Sequence, residues 1–271
     1  MRILLHPGFH KTGTSSLQGG VQTQTDRLSE FLQFRNTADL RESARAARRF
    51  SARPEKINLW RFAIAFRAEL GSVQRDGPQA LLISSEDLCG TLPGLRGVLS
   101  YEAVPSLMNV AVAVLKSCFG NGAEITLWFT TRTGENWLRS VWYQNLRAQR
   151  LTEDFETFRL LLARAAELDA VVARVAARIA LQGRVISTPI ETCGAPPLGP
   201  LGAALDLLDI RTEGLPPLPA RNAQPEGAAE ELLALNRSDL ADEALVEAKR
   251  EVLRRYRRAG QTRRPDPQRI S

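Results

Sequence analysis

Cysteine, histidine and lysine are all scarce in this chain of 271 residues, which holds three, two and four of them. Cys89, Cys118 and Cys193 form no C-x-x-C pair, and an odd, scattered set argues against both a disulfide framework and a zinc site. Such cysteine usage suits a reducing compartment. No stretch approaches the ~20 apolar residues of a membrane span. Met1 passes straight into a strand-like run with no basic leader, so a cytoplasmic protein is expected. No internal repeat and no long linker divides the chain, and with 44% apolar residues it can bury one substantial α/β core.

The scarcity of lysine gives weight to the one that stands in a loop. Of 36 basic residues 32 are arginine, so Lys11 reads as a choice for point-charge chemistry rather than as generic positive charge. It lies within Gly8-Phe-His-Lys-Thr-Gly-Thr-Ser-Ser16, directly after the strand-like Arg2–His6 (RILLH) and before a helical pattern expected to begin near Leu17. Gly8 and Gly13 permit tight turns, and Ser15 or Ser16 is positioned to cap the helix. Backbone N–H groups at such a helix start, its dipole and Lys11 together suit an anion. The spacing of Gly8 and Gly13 fits the Walker pattern, but Thr14 stands where that pattern requires lysine. This argues against ordinary ATP or GTP hydrolysis.

Lys11-Thr12-Gly13-Thr14-Ser15-Ser16 following a first strand resembles the donor-binding loop of the sulfotransferases, which use 3′-phosphoadenosine-5′-phosphosulfate (PAPS). The resemblance implies that this loop holds the 5′-phosphosulfate end, with Lys11 stabilising charge on the leaving oxygen. A second segment carries the likeness further. The apolar run 123–131 ends at Arg132, and Ser140 stands eight residues later on a helical pattern. In the family, an arginine and a serine so placed grip the 3′-phosphate, which a guanidinium can do bidentately. Trp137 reads either as a core residue or as a platform for adenine.

Between these segments Ala80-Leu-Leu-Ile-Ser-Ser-Glu-Asp-Leu88 is an apolar strand with acids at its carboxyl end, where ligands collect in open parallel sheets. Glu86 is thus a candidate general base, with His10 the alternative. Two other readings stand beside it: Glu86 or Asp87 as a magnesium acid of a P-loop kinase or NTPase, and Ser85 and Glu86 as the start of a turn. His10 reads equally as a structural histidine of the loop.

Strand patterns near 2–6, 80–84, 123–131 and 184–188 alternate with helical ones at 28–50, 57–75, 104–118, 134–150 and 153–181, the last reading as one amphipathic helix or a helical pair. This predicts a P-loop-like three-layer α/β fold with a central parallel sheet flanked by helices. Residues 1–253 read as one domain with a helical insertion at about 33–76, where part of the acceptor pocket is expected. Proline punctuates 187–225, around a short helix at 201–208, and the segment from Arg221 to Pro225 loosely resembles a loop that closes over the sulfotransferase donor. Residues 254–271 carry seven arginines against Asp266, equal to the net charge of +6 of the whole chain, and read as a disordered, solvated tail. No nucleic-acid module accompanies it. The resulting expectation is a PAPS-dependent sulfotransferase that needs no metal and sulfates a hydroxyl or amine of a small-molecule or glycan acceptor. A P-loop nucleotide-binding enzyme and a non-enzymatic anion-binding module led by the tail are the alternatives.

Overall fold

Arg2–His6 and Ala80–Ser84 offer water no polar face along most of their length, so both sides of the sheet they form must be covered. The computed structural model describes residues 1–218 and 227–262. The chain begins with β1 (Arg2–His6), α1 (Thr14–Thr23), α2 (Thr25–Leu28), β2 (Leu32–Arg35), α3 (Arg41–Ala52) and α4 (Lys56–Glu69). It continues through β3 (Ala80–Ser84), α5 (Val104–Phe119), β4 (Glu124–Thr131), α6 (Gly134–Ala148), α7 (Phe155–Leu161) and α8 (Leu168–Ile179). β5 (Arg184–Pro189), α9 (Ile190–Cys193), α10 (Pro200–Leu207), α11 (Ala228–Asn236) and α12 (Asp242–Thr262) follow.

All five strands are parallel, in the order β2-β3-β1-β4-β5. Alternation along the strands divides the core in two. Ile3, Leu5, Leu81, Ile83, Leu127 and Phe129 face a large layer that includes α4, α5, α6 and α8. Leu4, Leu82 and Trp128 face a smaller layer built on Leu17 and Val21 of α1 and Leu201 and Leu205 of α10. Each such fully buried side chain contributes about 1.5–3 kcal/mol of transfer free energy. This is the three-layer α/β arrangement expected from the alternation of strands and helices.

The order also fixes where a ligand can sit. From β1 the chain leaves toward β2 on one side, whereas from β4 it leaves toward β5 on the other. The crevice beyond the carboxyl ends of β1 and β4 is therefore a topological switch point. The glycine-rich loop and Arg132 both emerge there.

Several boundaries differ from expectation. Residues 28–50 are not one helical stretch, because Leu32–Arg35 pairs with β3 as an edge strand. The supposed insertion thus opens on a fifth strand. Four residues are too few to show a period against the arginine-rich helix that follows. The stretch 153–181, expected as one helix or a helical pair, is the pair α7 and α8, joined by a tight turn over Ala163–Ala166. The basic stretch does not leave the fold at residue 254: α12 runs to Thr262, with Arg254 paired to Glu247 and Glu251 and Arg255 to Glu231. The remainder of that stretch, and the Arg221–Pro225 loop, lie outside the described residues. Among those described, no helix is long and apolar enough to cross a membrane.

Candidate functional site

The loop between β1 and α1 places three residues at positive φ: Gly8 at 54°, Lys11 at 69° and Gly13 at 103°. Gly8 is dictated by space as well, since a Cβ there would stand 2.6 Å from Thr14 Oγ1. Gly13 occupies the N-cap of α1 and provides no side-chain cap, so the helix begins at Thr14 rather than near Leu17, and neither Ser15 nor Ser16 caps it. An uncapped start leaves donors free. Among the described residues nothing accepts from the backbone N–H groups of Lys11, Thr12, Gly13, Thr14 or Ser15, and the first inward bonds run from Ser16 and Leu17 to the Gly13 carbonyl. The Thr14 hydroxyl is also buried with no partner among the described residues.

Beneath the loop lies a chain of side-chain hydrogen bonds that has one consistent proton order. Thr12 Oγ1 donates to the Phe9 carbonyl at 2.6 Å, so it accepts from Thr130 Oγ1 at 2.9 Å. Thr130 must then accept from His6 Nε2 at 3.2 Å, and His6 Nδ1 accepts from the Ser84 hydroxyl at 3.0 Å. One neutral tautomer of His6 satisfies every member. Burial holds this imidazole neutral, with a pKa lowered to about 3. Three strands thereby grip the loop from below. On the opposite side Trp137 Nε1 donates to the His10 carbonyl at 2.9 Å, and Trp137 is fully buried. Trp137 is a core anchor of the loop and presents no face for adenine.

Above the loop a cavity of about 670 Å³ gathers most of the residues singled out from the sequence. Lys11, Gly13, Thr14, Ser15, Ser16, Glu86, Arg132 and Ser140 all line it, although they come from the ends of three strands and from helices α1 and α6. Asn136 joins them, midway between Arg132 and Ser140 on the face of α6. Residues 194–200, with Ile190 and Glu191, form the facing wall. Among the described residues, the side chains of Lys11, Glu86, Arg132 and Ser140 make no hydrogen bond or ion pair, so their polar groups stay available to a ligand. Burial, with Arg147 and Arg132 nearby, brings Lys11 below the usual lysine range, while Glu86 opposes that shift.

Two expected members are not part of the cavity lining. Thr12 turns its side chain down into the hydrogen-bond chain, and only its N–H remains for a ligand. His10 is similarly engaged: Nδ1 is 3.1 Å from Tyr101 Oη, which also accepts from the His10 N–H at 3.3 Å. Nδ1 and the Tyr101 hydroxyl thus share a hydrogen bond, and Nε2 lies 3.6 Å from Asp87 Oδ1. Asp87 Oδ2 in turn pairs with Arg48 at 2.5 Å. Burial opposes ionisation of Asp87, but hydrogen bonds from His10 and Arg48 and their charges hold its pKa below the ordinary value. Glu86 opens a short turn over Glu86–Cys89, yet its side chain caps nothing and lines the cavity instead.

Sequence reasoning overlooked His6 and Thr130 as supports, Asn136 as a lining residue, and Tyr101 as the partner of His10. The i, i+4 spacing of Asn136 and Ser140 on one helical pattern was the signal available for Asn136.

No family model matches the sequence, and no curated protein matches it. Among solved structures, the crystal structure of a sulfotransferase from Alicyclobacillus acidocaldarius is similar at 18% identity, covering 94% of this chain and 98% of that chain with a TM-score of 0.48.

Proposed function

We propose that this protein is a PAPS-dependent sulfotransferase that passes a sulfuryl group to a hydroxyl of its acceptor. The observation that carries the reading is the donor set of the cavity: the amides of Lys11, Gly13, Thr14 and Ser15 and the Thr14 hydroxyl, all unpartnered among the described residues, with the Lys11 side chain and the Arg132 and Ser140 pair. Cations and N–H and O–H donors in this number suit an anion charged at two separate ends. In this scheme the amides of residues 11–15 and the Thr14, Ser15 and Ser16 hydroxyls take the 5′-phosphate, and Arg132, Ser140 and Asn136 take the 3′-phosphate. Glu86 accepts the proton of the acceptor hydroxyl as its oxygen bonds to sulfur. The bond from sulfur to the phosphate oxygen breaks in line, and Lys11 stabilises the charge arriving on that oxygen. The scheme uses no metal, and the free cysteines fit a cytoplasmic enzyme.

Glu86 is preferred to His10 as the base because it lines the cavity, whereas both ring nitrogens of His10 are already directed at Tyr101 and Asp87. The magnesium-dependent alternative is weakened by Asp87, whose charge is answered by Arg48. Equilibrium dialysis with PAPS tests the proposal. Saturable binding is expected, displaced by 3′-phosphoadenosine-5′-phosphate and not by an equal concentration of ADP. Displacement by ADP with magnesium at equal strength contradicts it.

A further inference from the structure

A second cavity, of about 730 Å³, opens between α3 and α4 and is lined by Arg45, Arg48, Arg49, Arg53, Arg61 and Arg96 against one carboxylate, Glu55. We infer that this cleft is the acceptor site and that the acceptor carries two or more acid groups; the inference rests on the donor reading given above. The charge pattern is the first ground. On α3 the arginines at 45, 48 and 49 share one face, so Arg45 and Arg49 stand as like charges at i, i+4 and repel, and Arg53 follows directly after the helix's last residue. Arg139, Arg159 and Arg250 are matched by Glu135, Glu156 and Glu247, and what marks the cleft is that six arginines line one cavity with a single carboxylate. In the cleft Arg45 pairs with Glu42 and Arg48 with Asp87, but Arg49, Arg53, Arg61 and Arg96 have no carboxylate partner among the described residues. Arg96 is moreover held at φ 53°, a conformation that L side chains rarely adopt.

Position is the second ground. The turn Glu86–Cys89 stands between the two cavities: Glu86 lines the donor cavity, and the next residue, Asp87, binds Arg48 of the cleft. α3 is fastened to this turn. Thr91 N donates to Ser51 Oγ at 2.8 Å, and a Cβ on Gly90 would stand 2.6 Å from Ser51 Cβ. An acceptor whose acid groups dock on the arginines thus brings a neighbouring hydroxyl toward Glu86. Guanidiniums read carboxylate, sulfate and phosphate alike through paired N–H donors, so the shared chemistry is a polyanion. The cleft also lies on the segment where acceptor contacts were expected from the sequence.

Fluorescence anisotropy of the full chain with a labelled heparin-derived hexasaccharide tests this, with inositol hexakisphosphate and neutral maltohexaose as competitors. The hexasaccharide is expected to bind with 3′-phosphoadenosine-5′-phosphate already present, and maltohexaose is expected not to displace it. The double variant R49E/R53E should weaken binding at least tenfold, and R49Q/R53Q should weaken it in the same direction by less. Both should keep the melting temperature and the affinity for 3′-phosphoadenosine-5′-phosphate. Tighter binding of the hexasaccharide supports a glycan acceptor, and tighter binding of inositol hexakisphosphate supports a phosphorylated one. Hexasaccharide binding that is absent, unchanged in R49E/R53E, or displaced by 3′-phosphoadenosine-5′-phosphate overturns the inference. Arginine-dependent binding without any affinity for that nucleotide overturns the donor reading alone and leaves the cleft as an anion site.

Discussion

Thr12 and Thr130 meet hydroxyl to hydroxyl at 2.9 Å, which locks the underside of the glycine-rich loop to the carboxyl end of β4. The loop's upper side is left with amides unpartnered among the described residues, and its lower side has every side-chain polar atom of Thr12, Thr130, His6 and Ser84 in use. Rigidity below and unsatisfied donors above are what a preorganised anion site requires.

Thr130→Val keeps the shape of the side chain but removes the acceptor for His6 Nε2–H and the donor to Thr12. A buried group left unpaired costs about 1–3 kcal/mol, so the melting temperature should fall by several degrees and nucleotide binding should weaken. Thr130→Ser should restore both. Unchanged melting of Thr130→Val would remove the hydrogen-bond chain from the account.

The histidine at the centre of that chain makes stability depend on pH. Its folded pKa of about 3 lies below the ordinary value of 6.5, so the unfolded chain takes up a proton that the native state refuses. The contribution is fully present above about pH 6.5 and is lost as pH falls toward 3, at about 1.4 kcal/mol per pH unit. Urea denaturation between pH 6.5 and 5 should show this slope in the wild type and a smaller one in His6→Gln. Equal slopes contradict a neutral buried His6.

Lys11→Ala should lower turnover by about 10²–10³-fold, the scale of losing one donor to a developing oxyanion. Donor affinity should change less than turnover. Single-turnover rates and dialysis separate the two effects, and a wild-type rate in the variant removes Lys11 from the transition state.

Glu86→Gln should retain donor binding and lower the rate by roughly 10²–10⁴-fold. His10→Asn should act mainly on stability, because it breaks the contacts with Tyr101 and Asp87. Melting curves and rates of the two variants are to be compared. A larger rate loss at His10 than at Glu86 would transfer the role of base to His10.

The parts of the site that were legible in the sequence are those encoded by short local patterns. Gly8 to Ser16 declares a turn by its glycines and hydroxyls, and Arg132 with Ser140 needs only a strand end and two helical turns. The three-layer sheet was legible too, because β1, β3 and β4 are apolar on both faces. What was not legible depends on contacts distant in the chain. β2 is a strand only because β3 offers it an edge. Thr12 turns inward because Thr130, 118 residues away, is there to receive it. The arginine cleft exists because α3 and α4 pack side by side, whereas in sequence its charges are lost among 32 arginines.

The central claim is that Arg132 and Ser140 read a 3′-phosphate beside the loop that reads the 5′-phosphate. Titration calorimetry of the wild type and of Arg132→Ala with 3′-phosphoadenosine-5′-phosphate and with ADP tests it most directly. The account predicts that the wild type binds the 3′-phosphorylated nucleotide more tightly and that Arg132→Ala loses most of that preference, its ADP affinity little changed. Equal affinity of the wild type for the two nucleotides would contradict it.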